Sequence, residues 1–250
     1  VTYEVLAHSV FTEDAHNDAT STIKAEADDL LKYANSGIGA PTVFFTWGSN
    51  SFVANNGIWL LHAYYATGDK KYYNGALKAL DYLLGKNPMD MSYVTGMGIK
   101  SPMHPHHRPS QADTVVAPVP GMLVGGPHTG YNDVNTSVAE GDFGSGCSMN
   151  YGTGYAATTY LDNTCSYATN EVAINWNAPL AYLAGAIEAL NNGFAPDFAH
   201  ENVKKFAETN VTANSSASGE DESSASEGES ASSSAAESNA SSAESSAAES

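Results

Sequence analysis

Apolar residues recur at helical spacing in four stretches of this chain. From Thr20 to Tyr33, Ile23, Leu30 and Leu31 stand on one side of an otherwise polar segment, and Gly37 and Gly39 follow as stop signals. From Ser51 to Thr67, Phe52, Val53, Ile58, Leu60, Leu61 and Tyr64 are apolar nearly all round, and Gly68-Asp69 ends the run. From Lys71 to Leu84, Tyr72, Tyr73, Leu77, Leu80, Leu83 and Leu84 repeat at helical intervals; Gly85 is a C-cap candidate and Pro88 lies beyond. The fourth predicted helix runs from Asn170 to Asn191, with a break or kink at Pro179. Helices apolar on more than one face belong inside a multilayer helical architecture, so the predicted class is all-α.

Two stretches lack this period. Residues 87–169 are rich in Gly, Pro, His, Ser and Tyr. A connection of that length inside a compact domain is expected to carry function on a helical scaffold. Residues 207–250 are mostly Ser, Ala and Glu. They hold too little apolar surface to offset their ordering entropy and read as a disordered linker or tail. The domain reading is therefore 1–206 for the folded part and 207–250 for the tail.

Charge narrows the partners. The formal net charge is −18, and residues 1–206 hold 19 acidic and 10 basic residues. No basic stripe exists to replace phosphate counterions, which excludes nucleic acid, and an anionic membrane surface is excluded on the same ground. No apolar run approaches the ~20 residues of a membrane span. Neutral polysaccharide fits this balance better. The two cysteines, Cys147 and Cys165, lie in neighbouring turn-rich sequence. They are a disulfide candidate in an exported protein, and two half-buried thiols otherwise. The chain begins at Val1 without a signal peptide, and is expected to be a piece of a longer secreted protein.

The chemistry concentrates in two segments. Tyr160 to Ala178 holds two carboxylates: Asp162 among turn-formers, and Glu171 at the predicted helix entrance among Tyr, Trp and Asn. Such surroundings tune a carboxyl for acid–base work, as glycoside hydrolysis requires. Ser92 to Arg108 crowds His104, His106, His107 and Arg108 into five positions. They have three readings: metal ligands, hydrogen-bond donors to sugar hydroxyls, or loop residues that cap helix ends. Their spacing matches no standard zinc pattern, and no metal residue is assigned.

Together these segments resemble the two signature regions of glycoside hydrolase family 9, the cellulase family once called family E. Ser92 to Arg108 matches S-x-V-T-x-x-G-x-K-x-x-x-x-P-H-x-R, and Tyr160 to Ala178 matches Y-x-D-x-x-x-x-Y-x-x-x-E-x-A-x-x-x-N-A, each at every defined position. Trp47-Gly48-Ser49-Asn50-Ser51, Tyr82 to Pro88 and Leu123 to Pro127 are further family-like phrases. The likeness covers about residues 30–192 and is nearest to members with an immunoglobulin-like module before the catalytic domain. It implies an (α/α)6 barrel of the six-hairpin type, cleaving β-1,4-glucosidic bonds in cellulose with inversion. By motif position, Glu171 would be the general acid, Asp162 the signature aspartate of the site, and His106 the histidine beside the cut, with Arg108 next to it. His107, Trp47 and Tyr167 are candidates for sugar contact. For both aromatics core packing is an equal alternative.

The sequence departs from the family in one respect. The family's water-activating base lies in an Asp-Ala-Gly-Asp segment, and none occurs here. Glu13 to Asp18 is acidic but does not match, and reads as a charge cluster ahead of a helix. The expectation is an incomplete, C-terminal half of the barrel, inactive alone and with apolar helix faces uncovered. The tail would link to a carbohydrate-binding or anchoring module. No cofactor is required; structural calcium is an open expectation, with Asp133, Asp142 and Asp162 as available oxygen donors. Alternatives are a non-catalytic glucan-binding relative and a member acting on other β-glucans or cellodextrins.

Overall fold

The computed structural model describes residues 2–130, 151 and 155–218. Its helices are α1 (Thr2–Ala7), α2 (Glu13–Ala34), α3 (Ser49–Thr67), α4 (Lys70–Leu83), α5 (Arg108–Ala112), α6 (Tyr167–Asn170), α7 (Ile174–Asn191) and α8 (Glu201–Ser218). Among the described residues no strand is longer than an isolated bridge, and no helix is long and apolar enough to cross a membrane.

Helix α3 is the hub, packed against α2, α4 and α7. Its apolar circumference follows from that position: Leu60, Leu61, Ala63 and Tyr64 are fully buried on different sides of it. Gly57 lets the neighbours come close, because a Cβ there would stand 2.8 Å from a Leu183 methyl of α7 and 2.9 Å from Ala79 of α4.

Helix α2 starts seven residues before the predicted Thr20. Thr12 caps it by accepting from the Ala15 N–H at 3.3 Å, and Glu13 and Asp14 sit in the first turn, where acidic groups favour the helix dipole. The cluster Glu13 to Asp18 thus lies inside the helix and not ahead of it.

The fourth predicted helix divides. Pro179 does not break it: α7 runs through with the proline at its sixth position, where it removes one i→i−4 backbone hydrogen bond. The break falls upstream, at Glu171 to Ala173, between α6 and α7. The tail expected from residue 207 does not begin there either. Helix α8 continues through that position with Ala207 buried, and the compact body spans Val1–Ala213. Asn214–Ser250 forms a separate unit; the expectation of disorder for 219–250 lies outside the described residues.

Some apolar helix surface is uncovered. Ile174 and Tyr182 of α7 and Phe194 beyond it are 91%, 42% and 71% exposed.

Candidate active site

The long connection between α4 and α7 is laced to the helices through its backbone. Tyr93 N–H donates to Leu83 O of α4 at 2.8 Å, and Val124 N–H to Tyr93 O at 3.0 Å. Gly125 N–H donates to Glu171 O at 2.9 Å, and Gly126 N–H to Thr169 O at 2.8 Å. Asn50 N–H of α3 donates to Gly125 O at 3.0 Å. Bridges pair Val94 with Leu123, Val124 with Val172, and His106 with Glu171. Glu171 is therefore extended (φ −66°, ψ 151°), not helical. Its backbone serves this strap, which is why the helix cannot begin there.

The strap brings the predicted residues together. The Trp47 indole N–H donates to Glu171 Oε2 at 3.0 Å. Trp47 and Tyr167 stand ring to ring with centroids 5.2 Å apart, and the His106 ring meets Tyr167 edge-on at 6.1 Å. His106 Nδ1–H donates to Thr164 O at 2.6 Å, which selects one tautomer and holds the ring plane. Gly48 makes the turn that delivers Trp47. Its φ is +78°, and a Cβ there would be 2.9 Å from the Trp176 ring.

Asp162 is joined to the same place by a different route. Its Oδ2 accepts from Met103 N–H at 2.8 Å, and its Oδ1 from His104 N–H at 2.9 Å and from Asn170 Nδ2 at 3.0 Å. Three N–H donors engage both of its oxygens, and its contacts organise the loop that carries His106. Of the further candidates, His107 is the N-cap of α5: its Nδ1 lies 2.8 Å from Ser110 Oγ and accepts from Ser110 N–H at 3.4 Å. The helix-cap reading holds for the Nδ1 of this histidine, which also lines a groove with the residues that follow Glu171. Arg108 is the first residue of α5 and is exposed. Cys165 is disulfide-bonded. Cys147, Asp133 and Asp142 lie outside the described residues.

Three residues of the site carried no signal as chemistry in the sequence. Buried Asn170 bonds to Asp162 and to His104 O. Tyr160 donates its hydroxyl to Asn170 Oδ1 at 2.5 Å. Asn177 receives Leu123 N–H at 2.8 Å and ties the strap to α7. Tyr160 and Asn177 were visible only as motif positions without a role. Residues just after Glu171 line an open apolar groove of about 500 Å³, together with His107, Met122 and Asn177.

Over residues 2–184 the chain matches the family described as Glycosyl hydrolase family 9. The chain belongs to this family. It is 41% identical over 175 residues to the xyloglucan-specific endo-beta-1,4-glucanase of Bacteroides ovatus, covering 65% of this chain and 27% of that protein. It is 36% identical over 152 residues to the cellulose 1,4-beta-cellobiosidase of Acetivibrio thermocellus, covering 59% of this chain and 16% of that protein. Among solved structures, a thermostable endoglucanase from Alicyclobacillus acidocaldarius superposes with a TM-score of 0.59 at 36% identity, covering 71% of this chain and 32% of that one. The chain thus spans less than a third of each of these relatives. Family 9 structures are (α/α)6 barrels, and the helices described above supply a portion of one.

Proposed function

We propose that this chain carries the acid side of the active site of a family 9 endo-β-1,4-glucanase. Glu171 is the general acid that protonates the departing sugar oxygen. The observation that carries this reading is the Glu171 carboxylate held by the Trp47 indole inside the cluster of Trp47, Tyr167 and His106. A carboxyl fixed by one donor and set among rings is held in a defined orientation, which proton delivery to a bound sugar requires. Trp47 and Tyr167 offer faces to glucose rings, and His106 contacts the sugar next to the cut. Asp162 orders the His106 loop. The three N–H groups on its oxygens suit that task better than activation of water. In an inverting mechanism the activating carboxylate stands about 6.5–9.5 Å from the acid, and the sequence holds no Asp-Ala-Gly-Asp segment to supply it.

The substrate class is an unbranched β-1,4-glucan such as cellulose. The 41% identity to a xyloglucan-specific enzyme supports a second reading, a branched glucan of the same backbone. An extracellular setting accords with the oxidised Cys165. The Ser/Ala/Glu-rich residues would tether the site to a carbohydrate-binding or anchoring module.

The test is Glu171→Gln in a complete catalytic domain containing this chain, assayed on carboxymethylcellulose and on xyloglucan. Hydrolysis should fall at least a thousandfold with glucan binding retained. Wild-type rates would overturn the assignment, and the preferred polymer separates the two substrate readings. The 250-residue chain alone should release no reducing sugar.

A further inference from the structure

The two chemistry-bearing segments are more than 50 positions apart, and no covalent constraint sets one against the other. One side chain reaches three of the pieces involved. Asn170, fully buried, immediately precedes Glu171. Its Oδ1 accepts the Tyr160 hydroxyl at 2.5 Å, and its Nδ2 donates to His104 O at 2.5 Å and to Asp162 Oδ1 at 3.0 Å. Its own carbonyl accepts His106 N–H at 2.8 Å. Asp162 closes the loop by accepting Met103 and His104 N–H.

We infer that Asn170 is a positioning residue, whose carboxamide sets the register between the His106 segment and Glu171. The role rests on the reading of Glu171 and His106 given above. Only a carboxamide of this length accepts one hydrogen bond and donates two at these points. A carboxylate has no donor, and an aliphatic side chain would leave the buried Tyr160 hydroxyl without its acceptor and take a donor from both His104 O and Asp162 Oδ1. Displacements of about 1 Å between reacting groups cost on the order of a hundredfold in rate, so one buried amide can govern the site without touching substrate.

The informative variant is Asn170→Asp, nearly the same in shape. It keeps an acceptor for Tyr160 but sets a second carboxylate against Asp162, and the two must share a proton to stay together. The other titratable residues on these segments are Tyr93, Lys100, His104, His106, His107, Arg108, Tyr160, Tyr167 and Glu171. Thermal unfolding of the 250-residue chain is compared with wild type from pH 4 to 8. The Asn170→Asp deficit should be smallest at pH 4 and widen as pH rises, because the fold then carries a carboxyl that resists ionisation. Asn170→Ala should show a deficit that does not change with pH. The Trp47 indole N–H resonance, which reports the bond to Glu171, should move with the same midpoint in Asn170→Asp. Parallel unfolding curves for wild type and Asn170→Asp would overturn the inference. So would an indole resonance that follows wild type throughout, or a variant that stays unfolded even at pH 4. Cellotetraose binding by calorimetry separates this from the functional reading: Asn170→Asp should bind at least tenfold more weakly than wild type at pH 7 and recover at pH 5. A wild-type chain that does not bind cellotetraose counts against the glucan reading, and the unfolding and resonance measurements still decide Asn170.

Discussion

Trp47 and Glu171 meet across 124 positions of sequence. The ring of Trp47 is also 5.2 Å from that of Tyr167, so the indole has two separable roles, packing and donation. Trp47→Phe removes the donor and keeps a ring. Hydrogen bonds to charged groups are worth about 1.5–3 kcal/mol, which corresponds to roughly a tenfold or larger loss. In the complete catalytic domain kcat should drop by about that factor with KM little changed. An equal rise in KM would mean that the indole mainly binds sugar. At this scale the sequence named Glu171, His106, Trp47 and Tyr167, because catalytic and aromatic side chains stand out by type. It missed Asn170, whose importance lies in what surrounds it, and it left the cap role of His107 as one of three readings, because that role depends on the fold around α5.

Elements were legible where local forces decide them. Helices α3 and α4 lie within two residues of their predicted bounds, because their apolar spacing and caps are written locally: Asp69 caps α4 by accepting from Lys71 N–H at 3.0 Å. The start of α7 was misplaced because Glu171 is claimed by a partner, Gly125, that lies 46 positions away. One link between elements has a pH signature. Asp28 of α2 lies 2.7 Å from Lys24 Nζ and 3.0 Å from Lys71 Nζ of α4, and accepts from the Tyr72 hydroxyl of α4 at 2.8 Å. Hydrogen bonds from Lys24 first, then Lys71 and Tyr72, hold its carboxyl well below the usual range. A depressed carboxyl stabilises the fold above its unfolded value of about 3.9, and that contribution is lost as pH falls further. Asp28→Asn should therefore lower Tm at pH 7, and the gap should narrow below about pH 4. A gap of constant size down to pH 2 would exclude the ionic part of the link.

Over the whole molecule, acid should act through His62. Its ring stacks on Tyr3 with centroids 3.6 Å apart, and burial lowers its pKa to about 4. The unfolded chain takes up this proton near pH 6.5, ahead of the fold, so stability falls as pH drops from about 6.5 toward 4. His62→Phe, which keeps a ring against Tyr3, should flatten that part of the Tm–pH profile. An unchanged slope would place the acid sensitivity elsewhere. The sequence by itself determined the helical class and the family, and singled out Glu171 as the candidate acid, because periodicity, caps and motif residues are properties of neighbouring positions. Only the tertiary structure decided that Glu171 is extended, that Trp47 holds its carboxylate, and that Asp162 spends its oxygens on the histidine loop. Those outcomes depend on hydrogen bonds between residues 46 to 124 positions apart, and their partners exist only once α3 and the strap are packed together.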